Sequence, residues 1–75
     1  MFLQDALKIV VDALPPGAIR TVHEIAESTS EIGGVQYELR CVRSAIQVMA
    51  ADPRVPIQMD GHRLVVKALK PLGTT

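Results

Sequence analysis

Four breaks divide the chain and limit what it can become: Pro15-Pro16-Gly17, Gly33-Gly34, Asp52-Pro53 and Asp60-Gly61. A proline inside a helix removes a backbone donor and clashes with the preceding turn, so two in succession end any helix that reaches them. Paired glycines and Asp-Gly admit the left-handed backbone that tight turns require. No segment between these breaks is long enough for a large sheet or a long bundle. The chain must fold from short helices and a hairpin.

Residues 2–14 have helical periodicity, with Phe2, Ala6, Ile9, Val10 and Ala13 on one side and Lys8 and Asp12 on the other. Ala18-Ile19-Arg20 is long enough only for a bridging strand. Thr21-Val22-His23-Glu24 is a capping box and predicts a short second helix to about Ser28, with Val22, Ile25 and Ala26 inward. Ser28 through Gly34 then reads as a turn, where Gly33 and Gly34 permit positive φ. A third helix is expected over 35–51. Its apolar stripe of Val35, Leu39, Val42, Ile46 and Met49 covers an arc of ~80°. Residues 55–67 form a hairpin about Asp60-Gly61, pairing Met59 with His62, Gln58 with Arg63 and Ile57 with Leu64. Val55, Ile57, Met59, Leu64 and Val66 then share one face, with Gln58, Arg63, Val65 and Lys67 on the other.

This order of helix, short strand, helix, turn, helix and hairpin is that of a winged helix-turn-helix. The expected class is mainly α with a small β-hairpin (α+β): three helices plus wing, one domain over 1–69 and a frayed tail over 70–75. With 48% apolar residues but one Phe, one Tyr and no Trp, the interior must be aliphatic.

Net charge is zero, yet residues 1–38 carry six acids against two bases and residues 39–75 carry six bases against two acids. Such an asymmetry suggests a surface that attracts polyanions. In a helix-turn-helix the second helix of the pair enters the major groove. Along the third helix Gln36, Arg40, Arg43 and Gln47 form a polar stripe, flanked by Tyr37 and Ser44. Arginine can fork onto guanine O6 and N7, and glutamine can pair with adenine. The wing adds Gln58, Arg63 and Lys67 for the phosphate backbone.

Leu14-Pro15-Pro16-Gly17 through Thr21-Val22-His23-Glu24-Ile25-Ala26 resembles the DNA-binding domain of the O6-alkylguanine DNA alkyltransferases and alkyltransferase-like proteins. Val42-Arg43-Ser44-Ala45, Asp52-Pro53 and His62-Arg63-Leu64-Val65 extend the similarity. The resemblance implies a winged helix and a DNA-facing Arg43. Gly61 stands where the family carries its reactive cysteine, so alkyl transfer is excluded on this alignment.

Other chemistry finds little support. Cys41 has no partner for a disulfide, and neither it nor His23 or His62 lies at metal-ligand spacing. No nucleophile motif or phosphate-binding loop is present, so the expectation is a non-enzyme without cofactor. The N-terminal stretch lacks a basic leader and no run suffices for a membrane span, so the expected location is cytoplasmic. The apolar residues of the first helix span more arc than one core stripe needs, and Leu3, Leu7, Val11 and Leu14 are the expected dimer surface. The leading expectation is a small sequence-specific regulator of transcription that binds double-stranded DNA. The alternatives are a protein-interaction winged helix that modulates a polymerase, nuclease or other complex, and a non-catalytic lesion binder.

Overall fold

The computed structural model describes residues 1–67. The expected tail, 70–75, lies outside them. Three helices, α1 (Leu3–Asp12), α2 (Val22–Gly33) and α3 (Leu39–Ala50), pack against an antiparallel sheet. Its strands are β1 (Ile19–Thr21), β2 (Ile57–Asp60) and β3 (Arg63–Val66), in the order β1-β3-β2. The fold is α+β, three helices with a small three-stranded sheet in winged-helix order.

Helix α1 starts when the Phe2 carbonyl accepts the Asp5 and Ala6 N–H groups, and it stops short of the prolines. A residue preceding a proline is driven out of helical backbone, which removes Leu14 from the expected span and leaves Ala13 as the C-cap, still right-handed helical in backbone. Pro15-Pro16-Gly17 becomes a turn closed by the Ala18 N–H on the Pro15 carbonyl, with Gly17 at φ 83°. Proline followed by left-handed glycine is the type II pattern.

The buried side of α1 differs from the expected one. Leu7 is fully buried and Val11 nearly so, alongside Ala6 and Val10, while Leu3 and Leu14 are half-buried against the core. Phe2, Ile9 and Ala13, expected inward, are exposed instead. The expected dimer strip of Leu3, Leu7, Val11 and Leu14 is therefore the inner face of the helix. Periodicity gave the apolar arc but not its rotation about the axis, which packing against α2 and α3 sets.

The capping box forms as expected: the Glu24 N–H donates to Thr21 Oγ1 and the Thr21 N–H to Glu24 Oε1. Helix α2 does not end at Ser28 but runs to Gly33. Ser and Thr ordinarily weaken a helix by competing for its backbone groups. Here the buried Thr29 hydroxyl donates to the Ile25 carbonyl one turn back at 2.6 Å, so its polarity is satisfied inside the helix. Gly34 ends α2 in the left-handed conformation, φ 69°, and Gly33 stays helical. Gly33 is needed for a different reason: a Cβ there would sit 2.7 Å from Cε2 of Tyr37, whose ring lies against it.

Helix α3 is shorter than the expected 35–51. The Tyr37 N–H donates to Ser30 Oγ and the Tyr37 hydroxyl to the Met1 carbonyl at 2.6 Å. These bonds hold residues 34–38 as a connection across α2 and the chain start. Val42 and Ile46 are fully buried, with Ala45 and Met49 half-buried; Val35 and Leu39, expected in the same seam, are exposed.

The hairpin register also departs from expectation. Asp60 pairs with Arg63, Met59 with Leu64, Gln58 with Val65 and Ile57 with Val66, leaving Gly61-His62 as the two-residue turn. Gly61 has φ 60° and, among the described residues, no non-glycine residue has positive φ. A turn centred on Asp60-Gly61 would need positive φ at both, whereas glycine first with an ordinary residue second fits a type II′ turn. Each residue of β2 meets a partner two positions further along than expected. An even shift preserves the faces, so Ile57, Leu64 and Val66 are buried and Gln58, Arg63 and Lys67 exposed, as read from the sequence.

Two outcomes follow. Leu7→Ala should cost about 2–5 kcal/mol of unfolding free energy, whereas Phe2→Ala should be close to neutral in dilute, monomeric protein; urea titration of both variants distinguishes the core face of α1 from the face turned away from its own core. The Thr21 backbone N–H, then its hydroxyl, holds the Glu24 carboxyl below the ordinary glutamate value. A carboxylate so depressed stabilises the fold above its unfolded-state pKa, and the contribution is lost as pH falls through the folded-state value. Glu24→Ala should therefore be less stable than the parent at pH 7, and the gap should close in acid, as measured by thermal melts across pH.

Candidate nucleic-acid interface

The solvent side of α3 is set by the burial of Val42 and Ile46 opposite it. At 100° per residue Arg43, Gln47, Arg40 and Ser44 follow one another around an outer arc of roughly 100°, and all four are exposed. Gln36 and Tyr37 are not on the helix. Gln36 borders a hollow at the end of α2 together with Glu27 and Glu31, an acidic setting unsuited to a phosphate. Tyr37 is half-buried and its hydroxyl is committed to the Met1 carbonyl, so it is a structural clamp and not a contact for DNA.

The cations are not equally free. Arg40 Nε donates to Glu38 Oε2 at 2.8 Å. Arg54 binds Asp52 through Nε and Nη2, and its guanidinium holds that carboxyl below the ordinary aspartate value. Both pairs are solvent-exposed and so worth little to stability, but each pre-occupies a base from the positive half of the chain. Arg43, Arg63 and Lys67 make no ion pair among the described residues. They belong to α3, to β3 and to the residue following β3.

On the wing, Gln58 and Arg63 occupy the outer face, as expected. The revised register adds a group that the sequence reading had placed in the turn: Asp60 now stands directly across from Arg63. Its charge lowers the positive potential of the wing at its tip. The segment aligned with the alkyltransferase cysteine motif forms this exposed tip, Gly61 and His62 being its turn.

Strand β3 holds the wing against the rest of the fold. It pairs with β1 on its other edge, the Val66 N–H donates to the Ala18 carbonyl, and the Val22 N–H at the head of α2 donates to the His62 carbonyl. Helix α3 packs on β2 in turn. Helix α3 and the wing are thereby held in one frame.

Among the described residues no group of three His, Cys, Asp or Glu could hold a metal ion, and no helix is long and apolar enough to cross a membrane. Cys41 is exposed on α3. Comparison with protein-family models, curated proteins and solved structures gave no match.

Proposed function

We propose that the protein is a sequence-specific double-stranded DNA-binding regulator, with α3 in the major groove and the β2–β3 wing on the backbone. The observation that carries this reading is the distribution of free positive charge. Every cation of the second half that no acid holds, among the described residues, lies on α3 or the wing: Arg43, Arg63 and Lys67. Arg43 and Gln47, one turn apart and exposed, suit purine edges, with the arginine fork on guanine and the glutamine amide on adenine. Ser44, Gln58, Arg63 and Lys67 suit phosphate oxygens. Arg40 contributes only where phosphate outcompetes Glu38. A protein-docking role is the second reading, favoured by the exposed Val48 on α3 and Phe2 beside it.

Fluorescence anisotropy with a randomised duplex pool, followed by the selected site, tests the proposal at several salt concentrations. Lys67→Ala should reduce the magnitude of the slope of log affinity against log salt by about 1, and weaken all sequences alike. Arg43→Ala should cost roughly 1–3 kcal/mol on the selected site and relax preference at one base pair. Absence of binding at ~50 mM salt would leave protein docking as the reading. A modified-base duplex in the same assay distinguishes the lesion binder, which would prefer it over the selected site.

Asp60 yields a gain-of-function outcome. Asp60→Asn removes the carboxylate opposite Arg63 without altering shape, so DNA affinity should rise and its salt dependence steepen. An unchanged or weaker affinity would place the wing tip away from the backbone.

A further inference from the structure

A groove runs between the start of α1 and the outer flank of α3, with Phe2 and Asp5 on one wall and Arg40, Cys41 and Val48 on the other. It brings together the two most exposed large apolar side chains among the described residues. Phe2, the only phenylalanine, is 82% exposed, and Val48 is 67% exposed. Phe2 is not a loose end: its carbonyl starts α1, and the residue before it is tied by the Tyr37 hydroxyl. The ring is thus held out into solvent by a fixed backbone.

The charges of the groove identify what fits it. Asp5 makes no ion pair among the described residues. Arg40 engages Glu38 through Nε alone, which leaves the two terminal nitrogens of its fork without a partner there. One wall therefore offers a free carboxylate and the other a free guanidinium edge, with apolar groups between them. A two-fold axis parallel to the groove brings each wall of one copy against the opposite wall of another, so that residue i meets j and j meets i. Such a surface has no excess of positive charge and is complementary to itself, which does not suit a polyanion.

We infer that this groove is the interface of a two-fold homodimer, in which Phe2 of each copy packs on Val48 of the other and Asp5 of each meets Arg40 of the other. Apolar contact supplies the affinity; the two ion pairs fix register and orientation. Arg43 and Val48 are about 140° apart around α3, so the dimer leaves Arg43 and Gln47 uncovered, while Arg40 and Ser44, which line the groove, are drawn into the interface. The inference does not depend on DNA being the ligand.

Sedimentation velocity over a concentration series tests it on the full chain without nucleic acid. The parent should move from monomer to dimer mass as concentration rises, and Val48→Asp should weaken association at least about tenfold. Asp5→Arg should do likewise by opposing two arginines, and Asp5→Arg combined with Arg40→Asp should restore it. All these side chains are exposed, and circular dichroism checks that each variant is folded. Cys41 gives a second readout: maleimide should label it more slowly as parent concentration rises, and at a constant rate in Val48→Asp. A parent that stays monomeric throughout overturns the inference. So does a dimer indifferent to Val48→Asp, or an Asp5→Arg defect that the charge swap does not repair.

Discussion

The pairing of β1 with β3 is the constraint on which the arrangement of this small protein depends. A two-stranded hairpin of four-residue strands is marginal by itself in water. Three residues recruited from the link between α1 and α2 make it a three-stranded sheet, with Leu64 and Val66 turned into the core from its central strand. The same link is covalently the root of α2, whose first N–H bonds the His62 carbonyl. Wing and helices therefore share hydrogen bonds as well as apolar contacts. A wing that swung freely could not present Arg63 and Lys67 at a set distance from Arg43.

A second fixture works from the other end of the core. Tyr37 lies on Gly33, takes a hydroxyl from Ser30 as acceptor for its N–H, and donates its own hydroxyl to the first residue. The one tyrosine thus joins the α2–α3 connection to the start of α1. It delays α3 until Leu39, which determines which side chains reach solvent on that helix. It also anchors the segment carrying Phe2, so the clamp shapes the proposed DNA surface and the proposed dimer groove alike.

Much of this was legible in the residues. Capping box, proline break, hairpin position and the inner face of the wing are local or have an even period, and their signals survive errors of boundary. The faces of β2 and β3 were read correctly from a wrong register because an even shift leaves them unchanged. The rotation of α1 was not legible: a broad apolar arc offers several faces, and Leu7 competes with Ile9 until neighbours exist to choose between them. The length of α2 was hidden because Ser28, Thr29 and Ser30 signal a turn, and only burial showed the Thr29 hydroxyl turning back onto its own helix.

For the candidate DNA surface, the sequence alone determined that positive charge concentrates in the second half and that Arg40, Arg43 and Gln47 recur at helical spacing. Those are properties of composition and period, independent of partners. Tertiary structure decided which of these groups remain free. Glu38 takes one edge of Arg40, Asp52 takes Arg54, the turn geometry sets Asp60 opposite Arg63, and the core withdraws Tyr37 from the site. The reason is physical: a charge or a hydroxyl can be counted along a chain, but its availability depends on what lies within hydrogen-bonding distance, and folding alone sets that.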